Sequence, residues 1–312
     1  MVRYWGGKLV SVIISLFVLA TATFFLMKAI PGDPFTSEKA VPPEVKAKLM
    51  AFYGLDKPIW EQYLIYLKKL IHLDLGTSMK SQYQTVSSII TDSFGYSLRL
   101  GIFAIIVSVI VGVGLGVVAA MYHRKAIDGI AMVIAVLGVS IPNFVLASMT
   151  QYLFGYKLQW FQVAGLNGPF DYVLPVLALA ALPIAYIARL TRSTMLEVLN
   201  AEYIKTAKAK GLKRSVTIVR HALRNGILPV VTYVGPMTAN ILTGSVVVER
   251  IFGIPGLGKY FVDSVSNRDY TLIMGITLFY AVILMLARLL TDLLYGLVDP
   301  RIGLRSRKGA SS

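Results

Sequence analysis

Cysteine is absent from the 312 residues, and histidine occurs only three times, at His72, His123 and His221. The first absence excludes disulfides, thiolate nucleophiles and thiolate metal sites, and it leaves the redox compartment open. Acidic residues are scarce as well, 16 against 31 lysines and arginines, and charges of both signs make up only 15% of the chain. No pair of carboxylates stands within an apolar run to share acid and base roles. A Ser/His/Asp grouping would need residues that the chain's layout separates, so no catalytic constellation survives. The three histidines fall in loops assigned below to opposite sides, which excludes a common metal site or proton relay.

Apolar surface is what the chain has in abundance. Hydrophobic residues make up 56% of it and mean hydropathy is +0.67. Uncharged runs of bilayer-crossing length recur, the pattern of a polytopic, all-α integral membrane protein. Six spans are expected, over residues 9–27, 100–122, 129–156, 172–188, 226–248 and 271–298. Ala20-Thr21-Ala22 has the form of a signal-peptidase site, but the apolar run continues to Met27, so an uncleaved first helix is expected. Gly112, Gly114 and Gly116 allow close helix approach in the second span. The third exceeds the ~20 residues a span needs, with a kink expected at Pro142-Asn143.

Polar residues inside these runs are few. Asn143 and Gln151 are candidates for a translocation path, although Asn143 could equally satisfy backbone groups freed by Pro142. Arg288 and Asp292 stand four apart on one face of the last helix and are expected to form a structural ion pair.

The longest polar region, 35–95, follows Pro31-Gly32-Asp33-Pro34, which ends the first helix. Pro42-Pro43-Glu44 suits a short helix start. Trp60, Tyr63, Leu64, Leu67, Leu70 and Ile71 recur at three- and four-residue spacings and give a second helix an apolar face. That face could lie at a membrane interface, pack on a neighbouring subunit, or close a small extramembrane cap with its own core. Residues 1–95 therefore read as a first helix plus an extracellular loop, and 96–312 as a five-helix core.

A net charge of +15 would suggest nucleic acid in a soluble protein, but here it marks orientation, and no nucleic-acid partner is expected. Arg3 and Lys8, Arg124 and Lys125, the loop near 189–225, and Arg301, Arg305, Arg307 and Lys308 all fall on one side of a six-span layout. The short loops of the other side hold only Lys157, Arg250, Lys259 and Arg268. Both termini are thus expected in the cytoplasm.

The basic loop does more than set orientation. Residues 201–210 lack Gly and Pro and are rich in Ala and Lys, and Gly211 is placed to stop a helix in the left-handed conformation. Ile204 and Ala207 fall on one face. A second basic amphipathic stretch runs to Arg224, and Leu228-Pro229 enters the next span.

This chain resembles a permease subunit of binding-protein-dependent ABC importers, of the oligopeptide/dipeptide branch. The resemblance rests on Tyr203-Ile204, Thr206-Ala207, Ala209-Lys210-Gly211-Leu212 and Arg220-His221-Ala222-Leu223-Arg224-Asn225. It extends to Pro31-Gly32-Asp33-Pro34, Tyr53-Gly54-Leu55-Asp56-Lys57-Pro58, Asp74-Leu75-Gly76-Ser78, Pro255-Gly256-Leu257-Gly258 and Asp299-Pro300-Arg301-Ile302. The family's Glu-Ala-Ala, three residues, Gly signature falls on Lys205, Thr206, Ala207 and Gly211, with lysine in place of the acid. The resemblance implies a type I importer permease fold, and a coupling helix that engages an ATPase through Tyr203, Lys205, Thr206, Ala207, Gly211 and Leu212. It implies an outer mouth shaped by Glu249, Phe252, Pro255, Gly256 and Gly258. It also implies a homologous second permease, two cytoplasmic ABC ATPases that hold the ATP and Mg²⁺, and an extracellular substrate-binding protein. This chain itself is expected to bind no cofactor.

One motif points the other way. Residues 253–259 have the spacing of a phosphate-binding loop up to Lys259, but Tyr260 stands where a magnesium-binding Ser or Thr belongs. The stretch reads as a tight turn on the outer side. A secondary transporter driven by an ion gradient is the alternative from another class. It needs ionisable groups near mid-membrane, which the centres of the first five spans lack. Within the importer reading, a metal chelate such as nickel is the alternative cargo to a peptide.

Overall fold

The computed structural model describes residues 2–30, 32, 34–35, 42–81 and 84–298. Pro31, Asp33 and the tail from Asp299, with Arg301, Arg305, Arg307 and Lys308, lie outside the described residues. Between its turns and loops, the regular structure of the described residues is helical, apart from one isolated bridge between Thr77 and Thr85.

Among the described residues, four helices are long and apolar enough to cross a membrane, within Gly6–Ala29, Val86–Met121, Pro169–Leu199 and Tyr270–Thr291. The expected third span is not a single rod. It is broken into Ala126–Ser140 and Asn143–Lys157, bent by 104° at Pro142. Ile141 takes an extended conformation there, as a residue before proline prefers. The expected fifth span corresponds to a shorter apolar helix, Leu228–Leu242. The expected fourth, read as ending at Ala188, continues as one helix from Val173 to Leu199. Arg189 and Arg192 therefore sit on that helix and not in a loop.

The chain forms two compact units. The first holds residues 1–96 and 255–285, so a linear division at residue 95 leaves out part of it. Within it are α1 (Val2–Ala29), α2 (Pro43–Phe52), α3 (Ile59–Ile71) and the start of α4 (Val86–Met121). The polar region closes a small core of its own. Phe35, Met79 and Tyr270 are buried together, with Leu49, Met50, Tyr53 and Leu55 packed around them. Asp269 is the polar keystone. It is 1% exposed and accepts from Ser78 Oγ at 2.5 Å, Met79 N at 3.1 Å and Leu272 N at 3.1 Å. It thereby caps a long helix while fastening a loop nearly two hundred residues earlier in the chain. A second core joins Val86, Ile89 and Ile90 to Leu257, Leu272 and Ile276.

The second unit holds 97–254 and 286–312. It contains the rest of α4, then α5 (Ala126–Ser140) and α6 (Asn143–Thr150), which continues into a π-helical turn, Gln151–Lys157. After these come α7 (Val173–Leu199), α8 (Glu202–Ala209), α9 (Arg214–Val216), α10 (Leu223–Gly226), α11 (Leu228–Gly244) and α12 (Val246–Ile251). Later in the chain come α13 (Leu257–Asn267) and α14 (Tyr270–Val298).

Helix α7 is the axis of this unit, and small residues bring its neighbours close. A Cβ on Gly112 would lie 2.7 Å from Ile187 Cβ, and one on Gly116 would lie 2.6 Å from the Ala188 carbonyl oxygen. These two glycines, four apart on α4, make the close approach that the sequence suggested; Gly114 faces open space. On another side Ala135 of α5 packs against Ala185 and Ala188 of α7.

Candidate functional site

Helix α8 is local in origin and tertiary in placement. Glu202 in its first turn and Lys208 in its last complement the backbone dipole. Ile204 is fully buried and Ala207 is 7% exposed. Three residues apart, they share the inward face, and Ile204 packs with Ala120 of α4, Met195 of α7, and Ile218 and Ala222 of the following segment. The chain then reverses. Leu212 N donates to the Ala207 carbonyl at 3.3 Å, and Gly211 takes φ +76°. No atom lies within 4 Å of a Cβ placed on Gly211, so the backbone conformation and not space calls for glycine.

The sequence-derived coupling residues divide between two faces. Tyr203, Lys205, Thr206, Gly211 and Leu212 are exposed. Tyr203 Oη accepts from Asn225 Nδ2 at 2.9 Å, and Lys205 Nζ lies 2.7 Å from Glu202 Oε1. Ala207 is buried within the chain itself. The segment after Gly211 is helical with a π-helical turn at Thr217–Ala222. Thr217, Ile218 and Ala222 are buried while Val219, Arg220 and Arg224 face outward. Beside the C-terminal end of α8, a cavity of about 510 Å³ is lined by Met121, His123, Leu196, Asn200, Lys208 and Leu212.

Next to this hub stands a charge cluster that the sequence reading passed over. Asp128, in the first turn of α5, is 5% exposed. Its carboxylate accepts from Arg192 Nε at 2.6 Å and Nη2 at 2.8 Å, a bidentate pair joining α5 to α7. Arg124 N donates to it at 3.2 Å, and His123 Nδ1 lies 3.1 Å away. The signal was available: a single acid three residues after Lys125, at the head of an uncharged run, is an expensive residue to place there without a partner.

The residues assigned to an outer mouth are mostly buried within their own units. Glu249 is fully buried and takes a hydrogen bond from Ser245 Oγ at 2.5 Å. Phe252 is 2% exposed, and its carbonyl accepts from Gly165 N at 2.8 Å. In the other unit Gly256 and Gly258 are buried and Pro255 is half-buried. The stretch with phosphate-loop spacing is a turn, with Gly253 at φ +62°, leading into α13.

The polar candidates of the third run have different surroundings. Gln151 Nε2 donates to the carbonyls of Val163 and Ile251, both at 2.8 Å, so it ties a loop to α12. Asn143 opens α6 just after the bend, and its buried Oδ1 has no hydrogen-bond partner among the described residues. It does not cap the backbone freed by Pro142 through that atom. Arg288 is exposed; the side chain of Asp292 lies outside those described, and so does the expected pair. Among the described residues no group of three or more His, Cys, Asp or Glu could hold a metal.

Comparison with known proteins bears on the whole chain. Residues 112–304 match the family described as binding-protein-dependent transport system inner membrane component, and residues 1–101 match its N-terminal counterpart. A dipeptide transport system permease protein of Bacillus subtilis is 48% identical over 307 residues, covering 98% of this chain and all of the relative. An oligopeptide transport system permease protein of Salmonella typhimurium is 42% identical, covering 97% of this chain and 99% of the relative. Among solved structures, an amino acid ABC transporter aligns with a TM-score of 0.52 at 20% identity, covering 67% of this chain and 93% of that one. The MetNI methionine ABC transporter aligns with a TM-score of 0.55 at 14% identity, covering 68% and 97%. At those identities the structures speak for the fold alone.

Proposed function

Because the chain belongs to the family of binding-protein-dependent transport system inner membrane components, we propose that it forms half of the translocation pore of an ATP-driven importer of dipeptides or oligopeptides. The cargo class follows the names of the full-length relatives. The observation that carries the mechanism is α8: a basic helix seated by Ile204 and Ala207, with Tyr203, Lys205 and Thr206 turned outward beside α4 and α7. A chain with so few intramembrane charges has no evident means of using an ion gradient, so an external engine must act on it through a rigid contact.

In this reading the bent pair α5–α6 is the third span and Leu228–Leu242 the core of the fifth, giving six spans with both termini in the cytoplasm. A homologous permease completes the pore, and two ABC ATPases dock on the cytoplasmic side. ATP and Mg²⁺ belong to those ATPases. Closure of the ATPases on ATP moves α8, and Ile204 passes that movement to α4 and α7 through its packing with Ala120 and Met195. The pore then opens alternately to a binding protein outside and to the cytoplasm inside. The permease provides the path and the ATPases the chemistry.

The test is a Tyr203→Glu, Lys205→Glu variant, co-purified with tagged candidate ATPases and assayed for peptide uptake in vesicles. Both residues are exposed, so folding and membrane insertion are expected to persist while ATPase capture and uptake are lost. Unchanged capture and uptake would overturn the coupling role. Uptake by this chain alone, abolished by a protonophore and indifferent to ATP depletion, would overturn the importer reading itself.

A further inference from the structure

The face of α3 that the sequence shows as one apolar stripe is used in two ways. Tyr63 Oη lies 2.7 Å from Thr21 Oγ1 of α1, and the rings of Tyr63 and Tyr66 pack on Phe24 with centroids 5.3 and 5.5 Å away. Gln62 Oε1 accepts a hydrogen bond from Lys28 Nζ. One face is therefore bound to α1. Trp60, Leu64, Leu67 and Ile71 follow an i, i+4, i+7, i+11 course along an adjacent face. Of these, Trp60 is 65%, Leu64 54% and Ile71 80% exposed. Leu73, just beyond the helix, is 85% exposed. A third face carries Lys57, Glu61, Lys68 and His72.

Depth decides what covers the exposed apolar face. The contacts of α3 with α1 centre on Phe24, five residues before the end of the spanning helix at Ala29. At 1.5 Å per residue that is about 7.5 Å inside the end of the span. Amphipathic helices that lie in the membrane plane bury their apolar face roughly 5–10 Å into the headgroup and acyl boundary. Beside the same contact, α1 exposes Phe25 and Leu26, part of the apolar surface that a spanning helix shows to lipid. The uncovered stripe of α3 continues that surface sideways. Lys57 and Lys68 on the next face suit a phosphate-bearing headgroup layer, and Trp60 is a residue type favoured at such boundaries.

We propose that α3 is an in-plane membrane helix, with Trp60, Leu64, Leu67 and Ile71 sunk among the acyl chains of the leaflet that α1 enters after Phe24. Under the orientation given above this is the outer leaflet. The segment between the first two spans is then partly a lipid anchor and not wholly an extramembrane cap. It braces the outer end of α1 without needing a second protein. The inference depends on the chain spanning a membrane and not on what the chain transports.

The chain's lack of cysteine makes the test direct. Leu64→Cys and Ile71→Cys, with Glu61→Cys and Lys68→Cys as polar-face controls, are spin-labelled in the assembled transporter. The transporter is reconstituted into vesicles of phosphatidylethanolamine and phosphatidylglycerol, and cysteine-free chain gives the background from partner subunits. Collision rates with oxygen and with a water-soluble nickel chelate are then measured. Labels at 64 and 71 are expected to meet oxygen freely and the nickel chelate rarely, with the ratio reversed at 61 and 68. Frequent nickel collisions at 64 and 71 would place the face in water and overturn the proposal. Rare collisions with both reagents would place it under another protein and overturn it equally. Trp60→Cys, read the same way, covers the case in which either apolar-face variant fails to assemble.

Discussion

Replacing either partner of the Asp128–Arg192 pair tests how firmly α5 is held to α7. The pair is bidentate at 2.6 and 2.8 Å, with Asp128 5% exposed and the Arg192 side chain 25% exposed. Breaking a buried pair by removing one partner costs roughly 3–5 kcal/mol, because the other charge is left uncompensated. The two substitutions are not equivalent here. After Asp128→Ala, the partly exposed guanidinium can turn to water, so the cost falls to about 2 kcal/mol. After Arg192→Ala, the carboxylate stays buried with only Arg124 N and His123 near it, and the cost is about 3 kcal/mol. At ~2.1 cal/mol/K of unfolding entropy per residue, this 312-residue chain shifts by about 1.5 °C per kcal/mol, so thermal unfolding in detergent is expected to drop by roughly 3 °C for the first and roughly 5 °C for the second. The double variant should lose less than the sum, and the exchanged pair Asp128→Arg, Arg192→Asp should recover part of the loss. Additive losses, or single variants within a degree of the parent, would refute the claim that this pair holds the two helices together.

Two further outcomes follow from contacts already described. Gly116→Leu sets a side chain against the Ala188 carbonyl and Thr191, at distances no real Cβ shows, and is expected to cost about 2–3 kcal/mol. Gly114→Leu meets open space and should leave thermal stability nearly unchanged; equal losses would show that α4 and α7 do not meet as described. Asp269→Ala leaves Ser78 Oγ, Met79 N and Leu272 N without their acceptor, costing roughly 2–4 kcal/mol. Limited proteolysis should then cut faster around residues 72–85, and an unaltered cleavage pattern would show that this carboxylate does not fasten the loop.

Much of the helix α8 hub could be read from residues in order. Gly211 sits at φ +76° where a helix terminator was expected, and Ile204 and Ala207 are the buried face. What could not be read is which side of a small helix a given residue serves once other elements close over it. Ala207 belongs to a signature that suggested a contact with a partner, yet it is only 7% exposed within this chain. The same limit applies to Gln151, a polar residue in an apolar run that proves to bridge two backbone carbonyls. Asp128 was missed because its partner lies 64 residues away, and a lone acid beside three basic residues is easily taken for part of a solvated turn.

The sequence by itself determined that this chain is a membrane protein of helices, where most of those helices lie, and where the basic helix α8 stops. These are one-dimensional properties: the length of an uncharged run, the density of Lys and Arg, and a glycine at a helix end. Tertiary structure alone decided that the third run breaks by 104° at Pro142 and that α7 carries Arg192 to Asp128. It also decided that Asp269 fastens Ser78 and that α3 leaves Leu64 and Ile71 uncovered beside α1. Each of these depends on residues far apart in the chain meeting at hydrogen-bonding or van der Waals distance, which periodicity and composition do not encode.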